Sequence, residues 1–408
     1  MPRLLAIAVI LTTPPGMPAA DWPQLLGPAR DGHSTETKLN WNWPKEGPPI
    51  VWTKTIGTGW AGPVVADGRV YLFHRVGQEE TLECLDPADG TRKWHSTYGT
   101  TYRDDFGFDD GPRATPTVAE GRIFTLGANG DLSAFNALDG KRIWHRNLRA
   151  DYKADKGFFG FACSPLVIGK AVLVNVGGKG AGVVAFDVAT GKEFWKSTDD
   201  GASYSSPVAA EIDGKPAAVF LTRYGLRILD PGTGQQRHEF AFRPRLNESV
   251  QGASPLVWKD QIFLTVSYST GAALLHPKGK ELEEVWANDK TLSSQYNTPV
   301  RVGDYLYGVH GRADVGTAIL RCVEWKTGAV RWSEPKFGVA SLIAVEDGLL
   351  ALTEAGELVR FDASPGGYKE RSRAARVGLV RIAAPALAEG RLFARDGARL
   401  VSVDLRKP

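Results

Sequence analysis

A unit of about 45 residues recurs eight times along this chain, and that period constrains the fold more than any other feature. A fixed period of that length calls for a stack or ring of like supersecondary pieces. The unit starts are Gly62-Pro-Val-Val, Thr115-Pro-Thr-Val, Ser164-Pro-Leu-Val, Ser206-Pro-Val-Ala, Ser254-Pro-Leu-Val, Thr298-Pro-Val-Arg, Ala340-Ser-Leu-Ile and Ala384-Pro-Ala-Leu. Their spacings are 53, 49, 42, 48, 44, 42 and 44 residues.

Within a unit the pattern is strand, turn, strand, turn, strand, then Asp-x-x-x-Gly and often Trp. Ala66-Asp-Gly-Arg, Ala119-Glu-Gly-Arg and Ala388-Glu-Gly-Arg supply glycines for hairpin turns. Arg69-Val-Tyr-Leu-Phe and Arg122-Ile-Phe-Thr-Leu are β-branched and aromatic, as strands require. The 46 glycines and 12 tryptophans favour strands and tight turns over helices, and no 3.6-residue period supports a helical solenoid. Four strands per unit, repeated radially, predict an all-β, eight-bladed β-propeller over 50–408. The eighth unit stops at Val403-Asp-Leu-Arg-Lys-Pro408 without a fourth strand, and Pro49-Ile-Val-Trp52-Thr-Lys-Thr-Ile matches the missing one. An N-terminal strand that closes the last blade leaves no open seam.

Ala185-Phe-Asp187-Val-Ala-Thr190-Gly191-Lys192-Glu-Phe-Trp195 resembles the tryptophan-docking motif of the pyrroloquinoline-quinone-like (PQQ-like) repeat propellers. Leu85-Asp86…Gly90…Trp94, Phe135-Asn136…Gly140…Trp144 and Val323-Glu324…Gly328…Trp332 are similar. Asp21-Trp-Pro-Gln…Gly27-Pro-Ala-Arg-Asp-Gly resembles the leader of a bacterial exported branch of that family. The departures are His238 and Glu370 where Trp is expected, and an altered spacing of Gly279 and Trp286 in unit five. The resemblance implies the fold strongly and the function weakly. Its docking tryptophans are structural, packed between blades.

Around the repeat lie two other segments. Residues 1–20 read as a signal peptide: Arg3, an apolar run from Leu4 to Leu11, then prolines and Ala19-Ala20. Eight apolar residues are too few to span a bilayer. The prediction is an exported, periplasmic or extracellular protein with no membrane span. Residues 21–49 mix Pro, Gly and bulky aromatics and read as a strap on the domain surface. A net charge of +3 makes no case for nucleic acid. Cys84, Cys163 and Cys322 exclude a disulfide scaffold, a CxxC zinc site and a haem motif, though one pair between them stays open.

Propeller geometry sorts the loops. With strands A to D numbered from the axis outward, D-to-A and B-to-C connections share one face and A-to-B and C-to-D turns the other. The second set is monotonous. The first varies and gathers the candidate ligand-binding residues Trp60, Arg113, Tyr204, Arg223, Gln251, Tyr296 and Asn297. Arg113 is the foremost, a guanidinium suited to a carboxylate or phosphate, with pairing to Asp109 or Asp110 as the structural alternative. The insertion at 99–113 holds Asp104, Asp105, Asp109 and Asp110. A calcium loop is conceivable there, but the twelve-residue calcium pattern is absent, so a solvated loop is favoured.

No catalytic residues and no metal are predicted. Among relatives, PQQ alcohol dehydrogenases use a calcium-bound quinone, an Asp base and adjacent cysteines; this chain has no Cys-Cys pair. No Gly-x-Ser-x-Gly elbow supports a hydrolase. Another similar propeller, the lipoprotein subunit of the outer-membrane barrel-assembly machinery, works by protein contact; its lipid-attachment cysteine has no counterpart here. The sequence therefore favours a non-catalytic, monomeric binding module for a small-molecule or protein ligand, without cofactor. The alternative is a quinoprotein-type oxidoreductase carrying PQQ and Ca²⁺.

Overall fold

A computed structural model describes residues 21–374, 377, 379 and 383–407. The signal peptide expected over 1–20 lies outside the described residues. The described chain forms eight four-stranded antiparallel blades in consecutive order, the seventh joined by a short parallel strand from the N-terminal segment, in an eight-bladed β-propeller. One short helix, Leu148–Tyr152, is present among the described residues.

The first blade shows the plan. Strand A (Val64–Ala66) lines the axis, followed outward by B (Arg69–Val76), C (Glu79–Leu85) and D (Arg92–Gly99). B and C strands are almost fully buried and D strands alternate, because only the outermost strand faces water on one side. The last blade takes its D strand from the N-terminal segment: Ile50–Thr55 pairs antiparallel with Arg399–Asp404, with Trp52 opposite Ser402. The ring is thus closed by hydrogen bonds between distant parts of the chain, as the sequence predicts.

The docking tryptophans join neighbouring blades twice over. Trp52, Trp94, Trp144, Trp195 and Trp286 each lie over the left-handed glycine of the next blade's C–D turn: Gly90, Gly140, Gly191, Gly234 and Gly328. The indole N–H of Trp52, Trp144, Trp195, Trp286 and Trp332 donates to a backbone carbonyl of that turn region, at 2.8–3.0 Å. The Asp of the motif folds the turn: Asp86 Oδ1 accepts from Ala88 N–H at 2.8 Å, and Asp187 Oδ1 from Thr190 N–H at 2.8 Å. The Ser/Thr of the unit starts also joins blades. Thr115 Oγ1 accepts from Gly62 N–H (3.0 Å), Ser206 Oγ from Ser164 N–H (2.9 Å) and Thr298 Oγ1 from Ser254 N–H (2.9 Å).

Register corrects one assignment. His238 stands opposite Ile228, at the tryptophan position of blade 4. In blade 7 that position is Ser372, opposite Arg360; Glu370 lies before the bulge. The sequence misplaced it because the C–D turn of blade 7, closed by Asp362 N–H to Lys369 O, is two residues longer than that of blade 1, closed by Asp86 N–H to Thr91 O. Trp286 keeps its docking register despite its altered spacing, since a longer C–D hairpin (Lys278 opposite Glu281) absorbs the difference.

Residues 21–49 do more than cover the surface. Trp22 and Val65 exchange backbone hydrogen bonds at 2.8 and 2.9 Å, and Pro23 O accepts from Val118 N–H at 2.8 Å. Farther on, His33–Ser34 pairs parallel with Ala344–Val345, inside strand A of blade 7. Asn40 N–H then donates to Leu405 O at 2.6 Å. The strap therefore crosses the axial channel at its A–B end, from blades 1 and 2 to blades 7 and 8. Where blade 7 lacks its docking tryptophan, the strap supplies indoles: Trp43 is buried in one apolar cluster with Leu358 and Ala374 of blade 7 and Leu400 of blade 8, with Trp41 against it.

Candidate functional site

Between the strap and the blades sits Arg30, 2% exposed. Its guanidinium donates to Gln24 Oε1 (2.8 Å), Pro207 O (2.9 Å), Thr117 Oγ1 (3.0 Å), Ser164 O (3.2 Å) and Pro165 O. These acceptors span blades 2, 3 and 4, so the side chain runs into the channel and ties three inner strands together. Burial lowers its pKa to about 10, leaving it a cation at neutral pH. The channel axis is thereby filled with protein on the strap side, which leaves the D–A/B–C face as the open one.

On that face the insertion after blade 1 is folded by its own acids. Asp104 Oδ1 accepts from Phe106 N–H (2.9 Å) and Phe108 N–H (3.2 Å), while Oδ2 takes Arg113 Nη2. Arg113 also donates to Asp109 O (2.9 Å) and Gly111 O (3.0 Å) and lies 5.4 Å from the Tyr102 ring centroid. Asp109 accepts from Gly59 and Gly111 N–H, Asp110 pairs with Arg103 at 2.7 Å, and Asp105 pairs with Lys156 at 2.6 Å. For Asp110 burial raises the pKa, but the Asp104 N–H and the Arg103 charge outweigh it and hold the carboxyl below its usual range. Each acid has a hydrogen-bond or ion-pair partner. Among the described residues no three His, Cys, Asp or Glu side chains converge to hold a metal.

The result of that scaffolding is an aromatic cluster on the face. Phe106 and Phe108 are 48% and 68% exposed. Phe106 stacks on Phe108 (centroids 6.1 Å) and on Phe159 (5.2 Å), Phe158 lies 6.1 Å from it, and Phe159 meets Tyr204 edge-on at 5.4 Å. Two D–A loops, after blades 1 and 2, thus build one apolar knob. The sequence reading missed it, although Phe106, Phe108 and the Phe158-Phe159 pair in otherwise polar loops were the available signal.

The seven candidate residues separate into three groups. Trp60 and Arg113 share the corner between blades 1 and 2, where Trp60 N–H donates to Pro112 O at 2.8 Å. Arg113 pairs with the Asp104 carboxylate rather than with Asp109 or Asp110. Around blade 4, Tyr204 N–H donates to Gln251 O at 3.2 Å and Arg223 Nη1 to Gln251 Oε1 at 3.0 Å. Gln251 is fully buried, and Arg223 also holds Ser249 O at 3.0 Å, so both order the loop after blade 4. Tyr296 donates its hydroxyl to Glu354, and Asn297 reaches Ser341 Oγ at 3.5 Å. His74 and His310, at equivalent places, accept from Gly57 N–H (2.8 Å) and Ser293 N–H (3.0 Å), a structural use of both rings.

Two cavities accompany these groups, and none of the seven residues lines either. One of about 510 Å³ lies on the D–A/B–C face among Ile56, Thr58, Arg75, Arg103 and Asp109. The other, about 340 Å³, lies on the opposite face between the strap and blades 4–6. Each face of the ring thus carries a cavity. Strap residues, placed there only by tertiary contact, turn a set of repeat turns into a walled space.

The donor set does not match a calcium-bound quinone. Cys84, Cys163 and Cys322 are buried, unpaired and on different parts of the ring, which also leaves no disulfide among them. The four carboxylates of the 99–113 insertion are committed to hydrogen bonds and ion pairs, as above.

Comparison with known proteins follows the fold. The family model described as outer membrane protein assembly factor BamB matches residues 78–334, more than half of the chain. Among solved structures, BamB from Moraxella catarrhalis superposes with a TM-score of 0.64 at 15% identity, over 88% of this chain and 98% of that one. A quinohemoprotein alcohol dehydrogenase from Comamonas testosteroni gives 0.59 at 14% identity, over 95% and 81%. The computationally designed Ika8 protein gives 0.56 at 12%, over 87% and 99%. Identities this low show the fold alone. No curated protein matches the chain significantly. On the breadth of that match, which runs from blade 1 to blade 6, the chain belongs to the BamB family of PQQ-like-repeat β-propellers.

Proposed function

We propose that this protein is an exported, non-catalytic propeller that binds a protein partner on its D–A/B–C face. The carrying observation is the cluster of Phe106, Phe108, Phe158 and Phe159, two of whose rings stand open to water. Leaving such rings exposed is unfavourable for a solitary molecule, and aromatic side chains dominate binding energy where proteins meet. The knob has a polar rim, the ion pairs Lys156–Asp105 and Arg103–Asp110, the arrangement found around apolar interface centres. It is held by Asp104 and Arg113 before any partner arrives, which reduces the ordering entropy lost on binding. Among the described residues no helix is long and apolar enough to cross a membrane. The family description makes a protein of outer-membrane assembly the first partner to test.

A photo-reactive residue at position 108, introduced in the native cell, tests the reading. One discrete crosslinked protein is expected, with Phe106→Asp and Phe159→Asp abolishing its capture. Crosslinking that persists unchanged in both variants, or that is matched by a probe at Leu138 on the opposite face, rejects it.

A further inference from the structure

We propose that the cavity between the strap and blades 4–6 binds a small organic anion, a carboxylate or a phosphate ester, anchored by Arg301 and Lys259. Two cations converge there on one ring. The Arg301 guanidinium lies 4.0 Å from the Trp258 ring centroid and the Lys259 ammonium 4.5 Å from it. Both residues line the cavity, so two positive charges attract an anion that enters it. Among the described residues neither has a carboxylate at ion-pair distance: Arg301 Nη1 donates to Gly303 O, and its Nε and Nη2 have no protein acceptor. Burial lowers the Arg301 pKa, with Asp304 and Asp31 opposing that shift from a distance.

The other charged groups of the lining do not supply the missing anion. Arg30 is saturated by the oxygens described above. His33 Nε2 is engaged with Arg301 O at 2.7 Å, which fixes the backbone of the anchor. Asp31 accepts from His33 N–H at 3.0 Å, and Glu211 is exposed at the rim. What remains is a half-walled space of about 340 Å³ with a planar two-point donor and an ammonium on one side. Guanidinium edges with two free N–H groups recognise carboxylates and phosphates in paired fashion.

Backbone geometry marks the same place. Six of the eight A–B turns carry glycine, as at Asp67-Gly68 and Glu389-Gly390. Blade 5 turns through Lys259 and Asp260, both left-handed at φ 49° and 62°. Left-handed backbone at a non-glycine pair is unfavourable and persists where surroundings enforce it. Here Asp260 Oδ1 accepts from Asp213 N–H of the neighbouring turn at 3.0 Å. The turn thereby holds Lys259 over Trp258, toward the cavity.

Titration calorimetry at constant ionic strength, with inorganic phosphate and with citrate as separate probes, decides the matter. Saturable one-site binding of at least one probe is expected, and the stronger probe identifies the preferred anion. Arg301→Gln should weaken binding about tenfold, the equivalent of one charge-assisted hydrogen bond. Lys259→Gln should weaken it several-fold, and Arg301→Lys should fall between Arg301→Gln and the parent. Lys326→Gln, a surface charge on the same face outside the cavity, should change nothing. Melting curves of each variant establish that it is folded. No saturation by either probe up to about 10 mM, or equal affinity in the folded parent, Arg301→Gln and Lys259→Gln, overturns the proposal.

Discussion

The indole of Trp52 lies over Gly90 so closely that a Cβ on the glycine would come within 2.8 Å of the ring. Trp52 belongs to the strand that precedes the first blade in sequence and completes the last in space, while Gly90 turns the first blade at φ 74°. One contact therefore fastens the two ends of the ring. Trp52→Ala should destabilise the protein by about 3–5 kcal/mol, the range for emptying a large aromatic site. Gly90→Ala should also destabilise it, through the clash and the left-handed backbone together. Urea unfolding monitored by fluorescence checks both; a midpoint unchanged from the parent in Trp52→Ala rejects the closure as a source of stability.

Arg113 and Asp104 form a nearly buried ion pair, with side chains 10% and 0% exposed. Removing one member leaves the other charge uncompensated, so Asp104→Ala should cost about 3 kcal/mol. Arg113→Lys should cost less, because an ammonium keeps the charge but loses the donations to Asp109 O and Gly111 O. Hydrogen exchange should show the loss concentrated in residues 100–113, since Asp104 also caps the turn that presents Phe106 and Phe108. Exchange rates in that loop equal to the parent's would contradict this account.

Glu80 predicts a pH dependence. Its carboxyl is fully buried between blades 1 and 2, where Oε1 accepts from Ala128 N–H at 2.9 Å. Burial pushes its pKa up to about 7, against the Ala128 N–H and the Arg75 charge, with Tyr98 and Asp131 also facing it. The folded state then binds more protons than the unfolded one between pH 4.5 and 7, so this group's effect on stability worsens as pH rises through that window and is constant above it. Glu80→Gln should remove the slope and stabilise the protein at pH 8 by on the order of 3 kcal/mol. Unfolding free energies of parent and variant at pH 5 and pH 8 test the sign; a parent-minus-variant difference that does not change between the two pH values refutes it.

Arg30 makes the strap part of the ring. Arg30→Met keeps much of its length but strands the carbonyls of Ser164, Pro165 and Pro207. Each lost acceptor pairing in a buried site costs about 1–3 kcal/mol. Limited proteolysis should then cut within 21–49 well before the blades unfold. Simultaneous cleavage of strap and blades in Arg30→Met, at the parent's rate, would show that the cation does not fasten the strap.

The repeat determined the blade count and the closure, because both follow from local facts. Turn glycines, Asp caps and docking tryptophans act within one unit or between neighbours, so a linear reading reaches them. The N-terminal strand was legible for the same reason: Trp52 carries the pattern of any D strand. Glu370 was misplaced because blade 7 lengthens its C–D turn by two residues, which moves the docking position to Ser372.

Tertiary structure decided what no local pattern encodes. Gln251 and Arg223 carry ligand-like chemistry, yet packing turns both inward as loop braces. Asp104, one acid among four, became the keystone of a loop because Arg113 folds back onto it. Arg30 sits in an ordinary-looking Gly-Pro-Ala-Arg-Asp-Gly stretch, and only the curvature of the ring brings carbonyls from blades 2, 3 and 4 within its reach. Arg301 and Lys259 are 42 residues apart and meet on Trp258 because blades 5 and 6 are neighbours at the axis. Local propensity fixes the unit; the convergence of side chains from several units at the channel depends on ring geometry, which no single unit contains.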